Sequence, residues 1–296
     1  MISLLSSSAS LTITCSSHKT SPSTPKHIST KAHNHQLCVG KFCFCGRRSL
    51  LEAAATTLLS VCPSKASTSP SAAMAALDKI HPSRPDWYEE FCAWNMYSIM
   101  KAYEAEVAGW KTQMFSNLKG KAKNVVEIGI GTGPNLKYYV GDTDVRVFGI
   151  DPNRKMEKYA QEAAVAAGLP LSNFNFIHAV GESIPLSDAS VDAAVGTLVL
   201  CSVKDVDKTL KEVKRVLKPG GLYLFVEHVA AKDGTILKFW QRVLDPLQQT
   251  VVDGCHLTRE TGNNISRAGF SDVELSMAFV SDASLISPHV YGIACK

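Results

Sequence analysis

The sequence predicts an α/β protein with a doubly wound, mostly parallel sheet of seven strands, preceded by N-terminal helices. From about Pro85 onward, short β-branched runs alternate with segments in which apolar residues recur at spacings of three and four. A turn rich in glycine follows the first of these runs, as at the end of a buried parallel strand. The chain has 296 residues, 45% of them hydrophobic, which is enough for one sizeable domain and an extension.

The elements are predicted in the following order. Helical spacing between residues 87 and 118 predicts one or two amphipathic helices. Their core-facing residues are expected to be Tyr88, Phe91, Cys92, Met96 and Ile99. Strands are predicted at residues 124–130, 145–150, 175–178, 191–195, 222–227, 272–277 and 289–295. Helices are predicted from Pro134, from Asn153 to Gly168, over residues 206–217 and over residues 260–268, with irregular chain between residues 228 and 259. Such alternation is typical of a parallel sheet.

The first 80 residues differ in composition from the rest. They contain 8 Lys and Arg against 2 Asp and Glu, and residues 1–51, rich in Ser and Thr, contain no acidic residue. This composition is typical of an organelle transit peptide. We therefore expect a targeting segment at residues 1–80, disordered and removed on import, and one folded domain at residues 81–296.

Further features of this segment indicate targeting to a plastid. Arg47 and Arg48 precede an apolar stretch, and the small-residue triplet Ala73-Met74-Ala75 follows it. This order is typical of a second signal that directs a protein to the thylakoid lumen. Alternatively, there is a single organelle peptide in which the paired arginines are incidental.

Several classes of protein and site are not expected. After residue 80 the chain has 23 Lys and Arg against 25 Asp and Glu, with no basic stripe, so nucleic acid is not expected as a partner. No apolar run reaches the ~18–20 residues that a transmembrane helix needs. The histidines and cysteines between residues 33 and 45 match no four-ligand spacing, so no metal site is predicted.

The most informative residues lie where the first two strands end. The first strand runs into Glu127-Ile128-Gly129-Ile130-Gly131-Thr132-Gly133, in which three alternating glycines permit a turn that a Cβ would block. Asp151 ends the second strand, and an ionised carboxylate there can accept hydrogen bonds from both hydroxyls of a ribose. Because ligands of parallel sheets bind at this edge, the pattern predicts a nucleoside site.

Two nucleoside cofactors compete for this site. Dinucleotides need a G-x-G-x-x-G turn and a helix N-terminus facing the pyrophosphate, but the sixth position here is Pro134, which lacks an N–H. S-adenosylmethionine has no phosphate and needs only close backbone approach and the ribose acceptor. The spacing therefore favours S-adenosylmethionine, and the alternative is an NAD(P)-dependent oxidoreductase.

Further motifs lie at the expected strand positions. These are Ile184-Pro185, Val191-Asp192 and Leu217-Lys218-Pro219-Gly220-Gly221. With the glycine turn and Asp151 they resemble the class I S-adenosylmethionine-dependent methyltransferases with a type 11 domain and a Rossmann-like sheet, over about residues 85–296. More narrowly, four segments are similar to the methyltransferase-like proteins that methylate small alkyl thiols: residues 197–203, 227–231, 244–246 and 253–260.

The resemblance implies roles for individual residues. Glu127 supports the glycine loop near the methionyl amino group, and Asp151 holds the ribose. The loop itself consists of Gly129, Gly131 and Gly133. The adenine is expected near Gly181 and Glu182, and the methionyl moiety beside Thr197 and Leu198. The aspartate often found just before the Gly-Glu pair is Val180 here, so the adenine amine is expected to meet main-chain atoms.

The function implied is methyl transfer to a small-molecule acceptor, with a thiol as the first candidate. Alternatives are O- or C-methylation of a phenol, a quinol or another lipophilic plastid metabolite, and a non-catalytic binding protein. A thiol is already strongly nucleophilic, so no catalytic base is assigned; the candidates are His228, Asp253 and His256. Cys201 is expected to be an inert buried thiol. The segment with Phe239, Trp240, Val243 and Leu244 is expected either to pack or to line an apolar acceptor pocket.

Overall fold

The computed structural model describes residues 69–141 and 144–296. The helices are α1 Pro70–Ile80, α2 Asp86–Phe115, α3 Met156–Ala167, α4 Val206–Val216, α5 Ile236–Val251 and α6 Thr261–Arg267. The strands are β1 Asn124–Ile128, β2 Arg146–Asp151, β3 Phe174–His178, β4 Val191–Thr197, β5 Leu217–His228, β6 Asp272–Phe279 and β7 Pro288–Cys295. Short 3-10 turns occur at Leu136–Tyr138, Leu171–Asn173 and Ser281–Ile286.

The strands form one seven-stranded sheet in the order β3-β2-β1-β4-β5-β7-β6. The first five strands pair in parallel, whereas β7 runs antiparallel to both β5 and β6. The strand order reverses between β1 and β4, which places a crevice for ligands at the carboxyl ends of these two strands. The predicted fold class is confirmed.

Helices cover both faces of the sheet. On one face, Val125 of β1 packs in a core with Met114 of α2 and Ala160 of α3. On the other face, Val126 packs with Leu210 of α4 and Ile265 of α6. Neighbouring residues of one strand point to opposite faces, so β1 is buried on both sides. It is therefore a rigid support for the turn that follows it.

One predicted helix is missing from the structure. The chain after Pro134 forms only the 3-10 turn Leu136–Tyr138 before β2 begins. The side chain of Asn135 is buried and bonded to Glu127 and to Thr197, which ties this part of the chain to the ends of β1 and β4. This tertiary contact outweighs the helix-start signal of the proline.

Helix α5 lies in a region that we expected to be irregular. Thr235 caps its N-terminus by accepting a hydrogen bond from the backbone N–H of Lys238. Pro246 lies inside this helix, where a proline normally ends or kinks the element, and this obscured the helical pattern. The exposed apolar residues of α5 form one stripe: Ile236, Phe239, Trp240, Val243, Leu247 and Val251.

Helix α1 lies inside the range that we expected to be disordered and removed. Its Ala73 and Leu77 side chains are buried, so the boundary drawn at residue 80 falls within ordered structure. The disorder expected for residues 70–80 is therefore wrong, because the apolar residues of α1 follow helical spacing and find a buried surface. The rest of the predicted import segment, with the histidines and cysteines at residues 33–45, lies outside the described residues.

The first half of α2 is less buried than we expected. Cys92 is buried, but Phe91 and Ile99 are 42% and 53% exposed. The second half of the helix, around Met114 and Phe115, packs on the sheet. No helix in the described part of the chain is long and apolar enough to cross a membrane.

Candidate cofactor and acceptor site

The glycine turn after β1 contains two glycines that packing requires and one that faces open space. All three have positive φ: 65° at Gly129, 53° at Gly131 and 76° at Gly133. A Cβ on Gly129 would lie 2.7 Å from Val199 Cγ2, and one on Gly133 would lie 2.7 Å from Leu136 Cδ1. A Cβ on Gly131 would meet only a carbonyl oxygen at 3.9 Å. Gly131 is therefore the position at which a ligand can approach the backbone closely.

Asp151 lies beside this turn, at the end of β2. Its Oδ2 accepts a hydrogen bond from Gly131 N at 2.9 Å, and its Oδ1 accepts one from Asn153 N at 2.9 Å. Burial raises the pKa of Asp151 to about 7, against the effect of these two bonds. A carboxylate has about four acceptor positions, so each oxygen keeps capacity for a hydroxyl donor. The carboxylate is thus placed and chemically suited to hold a ribose.

Glu127 anchors a buried polar network under the glycine turn. Its Oε1 accepts from Asn135 Nδ2 at 2.8 Å, and its Oε2 accepts from Tyr139 O–H at 2.7 Å. Burial raises the pKa of Glu127 to about 7. Asn135 Nδ2 also lies 2.7 Å from Thr197 Oγ1, so the network joins the ends of β1 and β4.

The side-chain oxygen of Asn135 takes no part in this network. This atom, Oδ1, is buried and has no hydrogen-bond partner among the described residues. A buried acceptor beside a carboxylate fits a positively charged donor such as the amino group of a methionyl moiety. Sequence reasoning missed Asn135 and Tyr139, and their only local signal was their position just after the glycine turn.

Gly181 and Glu182 lie after β3 and shape the next part of the crevice. A Cβ on Gly181 would lie 3.0 Å from side chains of Ile128 and Thr209. Glu182 accepts hydrogen bonds from Lys204 N and from Asp205 N, at 2.7 and 3.1 Å, and so fixes the start of α4. An open groove of about 610 Å³ adjoins it, lined in part by Ile80, Arg259 and Asn264. In this structure Glu182 therefore holds the backbone just before α4. Its contact with adenine stays a prediction.

Leu198 follows β4, and its backbone adopts a left-handed conformation that residues other than glycine rarely adopt. Its φ is 53°, and its backbone N–H donates to Val226 O at 2.8 Å. Strained backbone of this kind is concentrated at functional sites. The predicted pair Thr197 and Leu198 therefore lies at the carboxyl end of β4, next to the Asn135 network.

Two of the three candidate bases are engaged by other side chains. Asp253 accepts hydrogen bonds from His81 and Arg84, which precede α2. Burial alone would raise the pKa of Asp253, but these two partners hold it below its ordinary value. His256 Nδ1 lies 3.4 Å from Asp245 Oδ2.

The third candidate, His228, belongs to a buried cluster with two cysteines. His228 Nε2 lies 3.1 Å from Cys255 Sγ, and one ligand atom each of Cys201, His228 and Cys255 lie within 4.8 Å of one another. The hydrogen bond from Cys201 lowers the pKa of the Cys255 thiol to about 4, against the effect of burial, and His228 adds to this effect. We call these three residues the Cys2His cluster.

Cys201 is buried, as expected, and its contact with Cys255 and its burial raise the pKa of its thiol. Its place in the Cys2His cluster was not expected. Each member follows a different element: Cys201 follows β4, His228 ends β5 and Cys255 follows α5. A signal was present, because each residue stands in one of the segments that resemble thiol methyltransferases. Only the fold brings them together at the carboxyl edge of the sheet.

The segment that we expected either to pack or to line an acceptor pocket is largely exposed, and its role with an acceptor stays a prediction. Phe239, Trp240 and Val243 are 59%, 48% and 51% exposed, and only Leu244 is half-buried. The inner face of α5 instead buries Gln241, whose Nε2 donates to Leu285 O at 2.9 Å.

The fold and this site define a methyltransferase that uses S-adenosylmethionine as its cofactor. A family model described as a methyltransferase domain matches residues 126–225. A methyltransferase structure from Thermotoga maritima shares the fold, with a TM-score of 0.51 at 20% identity, and covers 71% of this chain and 99% of its own.

Curated relatives narrow the assignment to a family. The chain is 41% identical over 214 residues to the human thiol S-methyltransferase TMT1A, covering 69% of this chain and 86% of the relative. It is 43% identical over 193 residues to the rat thiol S-methyltransferase TMT1B, covering 63% and 78%. The chain belongs to this family of methyltransferases. This family membership favours a methyltransferase over the two alternatives, an NAD(P)-dependent oxidoreductase and a non-catalytic binding protein.

Proposed function

We propose that this protein transfers the methyl group of S-adenosylmethionine to the sulfur of a small thiol. The observation that carries the proposal is the 41% identity to a human thiol S-methyltransferase over 86% of that protein. The electrostatic balance of the folded part, with 23 Lys and Arg against 25 Asp and Glu after residue 80, supports a small molecule rather than a nucleic acid as the acceptor.

The residues of the crevice suit this chemistry. When bound, S-adenosylmethionine supplies an electrophilic methyl group on a positively charged sulfur. Asp151 and the Gly131 backbone hold the nucleoside end, while the free acceptor oxygen of Asn135 receives the amino group. The leaving group is a neutral thioether, so the protein has to align the reactants rather than stabilise a developing anion. The rigid ends of β1, β2 and β4 provide that alignment.

The acceptor is tested with the full chain and a panel of small thiols, phenols and quinols. S-adenosylhomocysteine and the methylated products are quantified by mass spectrometry, with Asp151→Ala as the variant of impaired cofactor binding. We expect S-methyl products that depend on Asp151. Methylation of oxygen or carbon acceptors alone would overturn the thiol assignment and favour the phenol or quinol alternative.

We further propose a plastid location, which the acid-free, Ser- and Thr-rich composition of residues 1–51 supports. Residues 1–80 and residues 1–46, the latter lacking the paired arginines, are fused to a fluorescent protein and offered to isolated chloroplasts. Uptake of both supports a stromal signal. Arrival in the lumen of the longer fusion alone supports the second signal, and exclusion of both fusions contradicts the proposal.

A further inference from the structure

The Cys2His cluster has the composition of a zinc site, and it lies beyond the ends of β4 and β5, at the same edge of the sheet as the candidate cofactor site. We propose that Cys201, His228 and Cys255 bind one zinc ion, and that the open fourth position of this ion takes the sulfur of the acceptor as a thiolate. The second part rests on the proposed thiol methylation; the first part does not.

The geometry of the cluster matches the size of a zinc ion. Zinc binds cysteine sulfur at about 2.3 Å and histidine nitrogen at about 2.0–2.1 Å, so tetrahedral ligand atoms are about 3.5 Å apart. In the structure, His228 Nε2 lies 3.1 Å from Cys255 Sγ, and all three ligand atoms lie within 4.8 Å of one another. An ion can therefore be placed among them with side-chain adjustments alone.

Burial separates these three groups from water. The side chains are only 2%, 1% and 4% exposed at Cys201, His228 and Cys255. The other ring nitrogen of His228, Nδ1, is buried without a partner in the described part of the chain, so contact with sulfur is the polar contact that orients this ring. The thiol is a weak hydrogen-bond partner for Nε2, whereas a metal ion would bind this nitrogen and both sulfurs at once.

The number of ligands indicates a reactive rather than a structural metal. Structural zinc sites are closed by four protein ligands, whereas catalytic sites have three and keep one position for water or substrate. Within the described residues, the group that could hold a metal consists of two cysteines and one histidine. Soft thiolate ligands favour zinc over magnesium or calcium, and zinc can take a further sulfur ligand at an open position.

Zinc would increase the thiolate fraction of the acceptor, an effect that neither of the other two candidate bases is placed to provide. Asp253 is held by His81 and Arg84, and His256 lies against Asp245, so neither is placed as a dedicated base. A thiol that coordinates zinc releases its proton to solvent on binding. The sulfur lone pair then forms the new S–C bond, the bond from the methyl carbon to the sulfonium breaks, and its electron pair stays on the departing thioether. Zinc keeps its charge throughout.

The metal is measured first, without reference to activity. The full chain is purified under reducing conditions without chelators, and zinc is quantified by elemental mass spectrometry, before and after addition of zinc and desalting. We expect about one zinc ion per chain, reduced at least about tenfold in Cys201→Ser and Cys255→Ser. Cys92→Ser is the matched control, because Cys92 is also a buried free cysteine but lies in α2, outside the cluster.

The absorption spectrum of the Co²⁺-substituted protein then tests which residues bind the metal and whether the acceptor does. Replacement of zinc by Co²⁺ is expected to give sulfur-to-cobalt charge-transfer absorption that weakens in both cluster variants and not in Cys92→Ser. Addition of a small thiol is expected to shift this spectrum, whereas a phenol leaves it unchanged. Circular dichroism of each variant separates loss of the metal from loss of the fold.

The outcomes separate the two proposals. Wild-type protein that binds no zinc or cobalt, or that holds Cys201 and Cys255 as a disulfide under these conditions, overturns the metal site. Thiol methylation that persists at full rate after complete removal of zinc overturns the role of the metal and leaves the proposed function standing. Bound zinc without any S-methyl product overturns the thiol acceptor and leaves the metal site standing.

Discussion

The carboxylate of Asp151 accepts a hydrogen bond from the backbone N–H of Gly131 at 2.9 Å. This contact joins the turn after β1 to the end of β2, so one acidic side chain fixes the shape of the glycine turn before any ligand binds. The arrangement is preorganised, and it makes the candidate cofactor site sensitive to a change of this single residue.

Replacement of Asp151 by alanine is expected to weaken cofactor binding by about 10- to 100-fold, since charge-assisted hydrogen bonds of ~1.5–3 kcal/mol are lost. Isothermal titration with S-adenosylhomocysteine measures the affinity, and circular dichroism checks that the fold is retained. An unchanged affinity in a folded variant would mean that another residue holds the ribose.

Cofactor affinity is expected to rise with pH. Because the pKa of Asp151 is raised to about 7 by burial, part of the free protein carries a protonated carboxyl at neutral pH, and that proton has to leave before both hydroxyls are accepted. The dissociation constant should fall as the pH rises toward 7, by up to about tenfold per unit, and level off above about pH 8. Titrations in buffers of different ionisation enthalpy detect the released proton. In Asp151→Asn this pH dependence should be much smaller.

Gly131→Ala is expected to affect mainly cofactor affinity, whereas Gly133→Ala is expected to affect mainly stability. A methyl group at Gly133 meets Leu136 at 2.7 Å and Ala160 at 3.1 Å, so this variant should lose about 1–3 kcal/mol of stability from overpacking, in addition to strain. A methyl group at Gly131 enters open space, so the loss should be limited to the ~1–2 kcal/mol cost of the left-handed conformation. The affinity for the cofactor should nevertheless drop sharply in Gly131→Ala. Denaturant unfolding and cofactor titration test the pair, and equal effects on both readouts would contradict it.

The buried Glu127 is expected to make the protein less stable as the pH rises. Its pKa is about 7 in the folded protein and about 4.3 in an unfolded chain, so the folded state retains a proton that the unfolded state has lost. The stability that this proton provides is complete below about pH 4 and is lost as the pH rises through 7. Urea unfolding at pH 5.0 and 7.5 should show a larger decrease for wild type than for Glu127→Gln. The same decrease in both proteins would show that Glu127 is ionised over the whole range.

The sheet was predictable because its signals are local. β1 is a short β-branched run that ends in glycines, and Gly168 ends α3 with a φ of 83° as its position suggested. Helix α5 and the turn after Pro134 were not predictable in the same way. In α5 a proline interrupts the pattern, and at Asn135 a side-chain network formed with distant residues decides the backbone conformation.

The same distinction between local and distant signals holds for the residues of the candidate site. Asp151 and the glycines were found because one turn and one strand end contain them. Asn135 and the partners of Asp253 were missed, since their roles depend on residues far away in the chain, such as His81. The Cys2His cluster draws on three separate segments, and no spacing within one segment reveals it.

Helix α1 has a consequence for the proposed import of this protein. The triplet Ala73-Met74-Ala75, a predicted cleavage signal, lies within α1, and its first alanine is buried. Proteases cut exposed, extended chain, and a packed helix does not offer that conformation. A peptidase that uses this signal must therefore act on the chain before it folds. If the chain folds first, α1 would protect this site from the peptidase, so the N-terminus of the purified protein would show whether cleavage preceded folding.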